Sequence, residues 1–269
     1  MIRFLPLLAL ALAGCGEGAR GPVEAAGPTI VSLNPCTDAI LAEVAAPGQL
    51  LAISHYSEDP SSSSMTPQDA ARYRATGGTV EEVLALDPDV VVASTFLAPA
   101  TRAALEDLGL RVVTFGGTAT VEDSFAQVRE LAALAGYPAA GERLVEEIET
   151  ALAEAEGQGD PVEAALWQPG GIVPGEASLV SDLLRRTGFS SYSAARGMAQ
   201  ADYLSLEQVV ADPPQVLFVA GSESGQRHPV LAEVEGMRQE SFDTRLLYCG
   251  GPTILRAVRF VHSVRERVS

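Results

Sequence analysis

Residues 79–93 read TVEEVLALDPDVVVA and residues 205–219 read SLEQVVADPPQVLFV, a gapless echo that marks a chain built twice. In both copies a hydroxyl residue, Thr79 or Ser205, stands three places before Glu82 or Gln208. That is the capping-box spacing, which satisfies free amides at a helix start. Each copy therefore predicts a short helix, ended before Pro88 in the first and before Pro213 and Pro214 in the second, because proline disfavours helical angles in its predecessor. The apolar runs 90–93 and 216–220 come next. Runs apolar on both faces after a helix suit parallel strands buried between helix layers. One acidic residue, Glu81 or Glu207, holds the same place in the first turn of each helix. A carboxylate there complements the helix dipole. A matched pair, one per half, also has the form of a two-point docking feature.

The alternation extends beyond the echo. Apolar runs at 29–33, 50–54, 90–93 and 111–115 alternate with helical stretches at 37–45, 79–86 and 99–108. The second half repeats the scheme more loosely, with strands at 164–168, 216–220 and 245–248 and helices at 178–187, 205–211 and 252–268. This β-α-β order predicts parallel sheets. Between the halves, 121–135 and Gly136-Tyr137-Pro138 lead into 139–156, where Leu144, Ile148 and Leu152 recur beside a charged face. A helix there of about 18 residues spans roughly 27 Å, enough to bridge two lobes stiffly. The expected fold class is α/β. Two α/β lobes with mainly parallel sheets, residues 29–137 and 158–269, are joined by a single long α-helix at 138–157, with a ligand cleft between them.

The amino end carries Arg3, an apolar stretch from Phe4 to Ala13, and then Leu12-Ala13-Gly14-Cys15. It reads as a lipoprotein signal over residues 1–14, with Cys15 as the lipidated residue. The stretch falls short of the about 20 apolar residues that a membrane span needs. Residues 15–28, rich in Gly, Ala and Pro, read as a flexible tether. The formal G-x-G-x-x-G from Gly16 to Gly21 has no strand before it and no helix after it, so the dinucleotide reading is rejected. A net charge of -17 with no basic cluster argues against nucleic acid. Cys36 and Cys249 lie in what is expected to be an oxidising compartment, where they either pair or sit singly as small buried residues.

Ligands of parallel α/β sheets gather beyond the carboxyl ends of strands. The loops in question hold Asn34-Pro35-Cys36, His55-Tyr56-Ser57, Ser94-Thr95-Phe96, Pro169-Gly170-Gly171 and Cys249-Gly250-Gly251. They contain no G-x-S-x-G elbow, and the three histidines are far apart in sequence, so no catalytic set is expected. His55 and Tyr56 follow a strand, where a polar-tipped ring can stack on a planar ligand and bond its edge, or simply pack the loop. Trp167, at a strand end, suits a cleft wall or a core equally. Asp38 is read as support for the dipole of its helix. A zinc site from His55, Cys36 and Cys249 lacks any HxH or CxxC spacing.

IVSLNPCTDAILAEV, AISHYSEDP, TVEEVLALDPDVVVA, YLSLEQVVADPPQVLFVAG and YCGGPTILRAV, in this order and spacing, resemble the periplasmic solute-binding proteins of bacterial ABC importers for ferric siderophores, haem and cobalamin. The resemblance covers essentially the whole mature chain. It implies that Glu81 and Glu207 meet arginine pockets on a permease dimer, which works with its ATPase subunits. It implies a ligand contact at Tyr56, as in the cobalamin-binding member. That member's cleft tryptophans fall here near Ala75, Ser94 and Ala201, so this chain departs from it. Trp167, Phe96 and Tyr203 are expected to form a different aromatic lining, joined by His55 and by the loops of Cys36 and Cys249. The expectation is a monomeric, lipid-anchored periplasmic protein without cofactor or catalysis. It captures an iron complex or a corrinoid-like compound for the importer. Two competitors remain: a zinc or manganese capture protein, and an exported enzyme with Cys36 as nucleophile.

Overall fold

The computed structural model describes residues 27–247 and 249–268. The signal at 1–14, Cys15 and nearly all of the tether lie outside the described residues, as does Tyr248. Among the described residues, no helix is long and apolar enough to cross a membrane.

The first lobe runs β1 (Ile30–Ser32), α1 (Pro35–Val44), β2 (Leu50–Ser54), α2 (Pro67–Ala70), β3 (Ala75–Thr76), α3 (Val80–Leu84), β4 (Val90–Ser94), α4 (Pro99–Asp107) and β5 (Arg111–Phe115). Its strands form a parallel sheet in the order β3-β2-β1-β4-β5. Alternation along the strands divides the side chains between two cores. Ile30, Val90 and Val92 face a large cluster with Ile40, Leu41, Val128 and Leu131, while Val31, Val91 and Ala52 meet Val83 and Leu105 on the other side. A sheet covered on both faces explains why these strands read as unbroken apolar runs.

Two long helices follow, α5 (Val121–Ala135) and α6 (Pro138–Glu154), separated by Gly136 and Tyr137. Thr120 and Asp123 close a full capping box at the start of α5, and Gly136 ends it in the left-handed region at φ 85°. Helix α6, 17 residues and so roughly 26 Å long, connects the lobes and packs on α5 and α1 from the first and on α10 (Thr253–Arg267) from the second.

The second lobe contains β6 (Val162–Trp167), β7 (Ile172–Val173), α7 (Leu179–Arg186), β8 (Phe189–Ser191), α8 (Tyr192–Ala195), β9 (Asp202–Tyr203), α9 (Leu206–Ala211), β10 (Val216–Ala220), β11 (Arg238–Phe242) and finally α10. Its parallel sheet is ordered β11-β10-β6-β8, and β7 pairs antiparallel with β9 as a small ribbon. Phe218 sits at the centre of the core, edge-on to Phe189, Phe242 and Phe260. The strand expected at 245–248 does not form over 245–247, the part of it among the described residues. Asp243 instead caps a 3-10 turn over Thr244–Leu246 and holds the Arg245 guanidinium. The edge strand is Arg238–Phe242, whose only buried side chain is Phe242.

The echo occupies equivalent places. In each sheet its strand lies beside the first strand of the lobe, β4 on β1 and β10 on β6. The caps differ in one respect. Ser205 and Gln208 bond reciprocally, whereas Thr79 accepts from the Glu82 amide and the Glu82 carboxylate turns aside to the Thr76 hydroxyl at 2.9 Å.

Candidate functional site

A helix returning to a parallel strand runs antiparallel to it, so α3 and α9 start at the carboxyl ends of their sheets. The hydrogen bonds agree. Thr76, beside the last residue of β2, holds Glu82, and the Leu204 carbonyl accepts from Trp167 at the end of β6. Glu81 and Glu207 therefore stand exposed on the same side as the loops beyond the strands, one per lobe. The amide of Glu207 and the Ser205 hydroxyl hold the Glu207 carboxyl below the usual range.

The floor between the lobes is covalent. Cys36, in the first turn of α1, and Cys249, in the segment leading to α10, form a disulfide with Cα atoms 5.0 Å apart across a sequence separation of 213. Asn34 caps α1 through the Cys36 amide. The two glycines after Cys249 press on the first lobe. A side chain at Gly250 would collide with Ser124, and one at Gly251, whose φ is +60°, would collide with Ile40. The Gly251 amide donates to Ser124 Oγ at 2.7 Å. Asp182 of α7 accepts from the Val121 amide, Arg186 bridges to Glu122, and Arg256 donates to the Ser64 carbonyl, so further contacts bind the lobes together.

The first wall is the 3-10 turn His55–Glu58. The His55 and Tyr56 rings lie 4.0 Å apart between centroids. His55 Nδ1 faces the Thr76 carbonyl at 3.3 Å. A carbonyl only accepts, so this nitrogen carries a proton. Behind the turn, the fully buried Asp38 carboxyl accepts from the Ser54 amide at 2.9 Å and the Ser57 hydroxyl at 2.6 Å. Burial pushes its pKa up to about 8 against those hydrogen bonds, so at neutral pH it is protonated and lends no charge to the dipole of α1. This corrects the role expected of Asp38, which is to anchor the Tyr56 turn. A carboxyl raised from 3.8 to about 8 supplies stability that is complete below about pH 4 and is lost as pH rises toward 8. Denaturation midpoints across that window are expected to fall for the parent and stay flatter for Asp38→Asn. Asp38→Ala, which orphans a buried amide and a hydroxyl, is expected to cost about 2–3 kcal/mol.

The opposite wall is the β7–β9 ribbon, which sets Ile172 beside Tyr203. Gly171, at φ +76°, lets the Tyr203 ring lie against its backbone. Trp167 is not part of the lining. It is buried with Ala165, Tyr192, Leu217 and Val219, and its Nε1 donates to the Leu204 carbonyl at 2.8 Å. It braces the residue after Tyr203 from below. Six large apolar side chains are exposed among the described residues, and four of them, Tyr56, Phe96, Ile172 and Tyr203, stand on or beside the loops at the strand ends. Phe96 is 91% exposed. A cavity of about 450 Å³ lies where the loop after β5, at Gly117, Thr118 and Ala119, meets Gln168, Ser178 and Gln200 of the second lobe.

The structure leaves Tyr56, His55, Phe96 and Tyr203 exposed, buries Trp167 in place of the lining expected of it, and exposes Ile172, for which a two-residue strand gave no signal. Cys36 and Cys249 reach the cleft floor as a disulfide. A disulfide sulfur has no thiolate to offer, which removes both the Cys36 nucleophile and the zinc set built on His55, Cys36 and Cys249. Among the described residues no group of three or more His, Cys, Asp or Glu could hold a metal ion.

Solved structures share this architecture. The periplasmic heme-binding protein RhuT from Roseiflexus sp. RS-1, in apo form, is 20% identical with a TM-score of 0.71, covering 90% of this chain and 99% of its own. The periplasmic heme-binding protein HutB of Vibrio cholerae is 16% identical with a TM-score of 0.72, covering 88% and 98%. The periplasmic vitamin B12-binding protein BtuF of Vibrio cholerae is 20% identical with a TM-score of 0.64, covering 89% and 97%. No curated protein sequence matches the chain. The sequence model described as periplasmic binding protein matches residues 30–244, which span both sheets and both walls of the cleft, and the chain belongs to that family.

Proposed function

We propose that this protein is the substrate-binding component of an ABC importer, taking a bulky metal chelate, whether haem, a ferric siderophore or a corrinoid, between its lobes. The observation that carries the reading is the set of exposed apolar side chains, Tyr56 and Phe96 on one wall and Ile172 and Tyr203 on the other, above a cross-linked floor. Exposed apolar surface concentrated in a cleft marks a binding site. The family and the solved relatives are binding proteins, and two of those relatives are described as binding heme and one as binding vitamin B12. With Nδ1 turned to the Thr76 carbonyl, Nε2 is the His55 nitrogen left to meet such a chelate. Glu81 and Glu207 would dock the permease, and the Leu12-Ala13-Gly14-Cys15 box supports a lipid anchor in the periplasm. No step makes or breaks a covalent bond.

Titration of the purified protein with haem, cyanocobalamin and ferric siderophores tests the capture. Tyr56→Ala is expected to weaken binding of whichever chelate is taken by tenfold or more, about 1.4 kcal/mol. Trp167→Phe is expected to lower stability by about 1–3 kcal/mol while leaving affinity within about threefold. The reverse pattern would return Trp167 to the lining and remove Tyr56 from it.

A further inference from the structure

We propose that the cargo carries no net negative charge: the cleft is built for a neutral or cationic chelate whose periphery offers amides or hydroxyls rather than ionised carboxylates or catecholates. The inference rests on the capture reading and narrows its ligand class.

The chain has no lysine, so arginine supplies every permanent cation. In the first lobe the segments beyond the strands, 33–34, 55–66, 95–98 and 116–120, hold no arginine, while Glu58 and Asp59 stand exposed there. In the second lobe Arg245 is held by Asp243, and Arg196 by Asp212 and Glu163. Arg227 has no ion pair among the described residues, but it lines a separate hollow with Gln239 and Ser241 of the edge strand β11. The cavity between the lobes, bounded by the loop after β5 and by the second lobe, has no charged residue in its lining, whose polar groups are amides and hydroxyls such as Gln168, Gln200, Thr118 and Ser178.

Such a surface cannot compensate a polyanion. Closing two walls over ionised groups removes their water, and recognition of carboxylate or catecholate oxygens calls for guanidinium groups that converge on them. Here the convergent groups are neutral, and a net charge of -17 repels an anion at longer range. Side-chain amides of glutamine and hydroxyls of serine and threonine instead match ligand amides, which need both donors and acceptors.

Two ligand pairs of matched shape and different charge test this. The corrinoid pair is dicyanocobinamide, with amide side chains, and cobyrinic acid, with ionised carboxylates on the same ring. The iron pair is a neutral ferric tris-hydroxamate and a ferric tris-catecholate of charge −3. Calorimetric titration is expected to show that in whichever pair binds, the member without excess negative charge binds about a hundredfold tighter or more. Its affinity is also expected to change little between low and high salt. Equal or tighter binding of the anionic member, weakened by salt or by Arg227→Ala, overturns the charge inference and leaves the capture reading standing. Binding of haem, whose propionates are ionised, with none of the four likewise overturns the charge inference, whereas binding of neither haem nor any of the four overturns the capture reading itself, and the inference falls with it.

Discussion

Alanine at both Glu81 and Glu207 is expected to abolish most substrate uptake in cells, by a hundredfold or more, while the purified variant binds its chelate as the parent does. Both carboxylates are exposed, both start a helix at the cleft end of a sheet, and each belongs to a different lobe. Truncating one partner of a hydrogen-bonded charge pair typically costs about 2–5 kcal/mol, so under the proposed docking role the loss of both carboxylates leaves little affinity for a permease. Single variants are expected to retain part of the uptake, because one anchored lobe still raises the local concentration of the other. Neither glutamate carries a cap, since the Ser205 and Thr79 caps act through Gln208 and Glu82, and the Glu207 carboxylate meets only its own amide and the Ser205 hydroxyl on the exposed helix start. Stability should accordingly stay within about 0.5 kcal/mol of the parent. Undiminished uptake by the double variant would remove the docking role.

Serine at both Cys36 and Cys249 is expected to produce the largest loss of stability of any conservative change. The bond closes a loop with a separation of 213 residues. Chain-entropy arguments give about 5 kcal/mol for such a loop, and native disulfides commonly deliver about 2–5 kcal/mol. For a chain of this size that corresponds to a fall in Tm of roughly 5–15 °C. Reductant is expected to bring the parent to the Tm of the double variant and to leave the variant unmoved. A parent indifferent to reductant would show that the thiols are not joined. Because the pair ties α1 to the approach of α10, its removal should also loosen the cleft floor, visible as faster amide exchange in 34–38 and 249–254.

Legibility in the sequence followed burial. Strands β1, β2, β4, β5, β6 and β10 were readable as apolar runs, and those at the centres of the sheets have helices on both faces. Strands β3, β7 and β9 have two residues each, too few for a period. Strand β11 hides its pattern because Arg238 and Glu240 pair with each other and Glu240 with Arg267 on an exposed edge. The apolar residues at 246–247 mimicked the strand that β11 supplies; the Asp243 side chain, which claims the Arg245 amide, turned them into a cap. In the site, Tyr56 was legible because the strand before it ends clearly at Ser54. Trp167 was misplaced because a strand end does not tell which face its last residue takes. Alternation puts Trp167 with Ala165 in the inner core. Asp38 and the Cys36–Cys249 pair depend on contacts between distant segments, which no local pattern records.

The position of the disulfide's second half after the last strand has a consequence for biogenesis. A polypeptide that emerges across a membrane with its amino end first presents Cys36 long before its partner. Every strand of both sheets precedes Cys249, so the bond can close only once the strands of both lobes have emerged. The cross-link thus depends on segments from both lobes having been made. A chain that stops short, or whose second half fails to assemble, keeps a free thiol at the mouth of α1. Thiol oxidoreductases and proteases of the compartment can sort such a chain from a finished one before it ever meets a ligand.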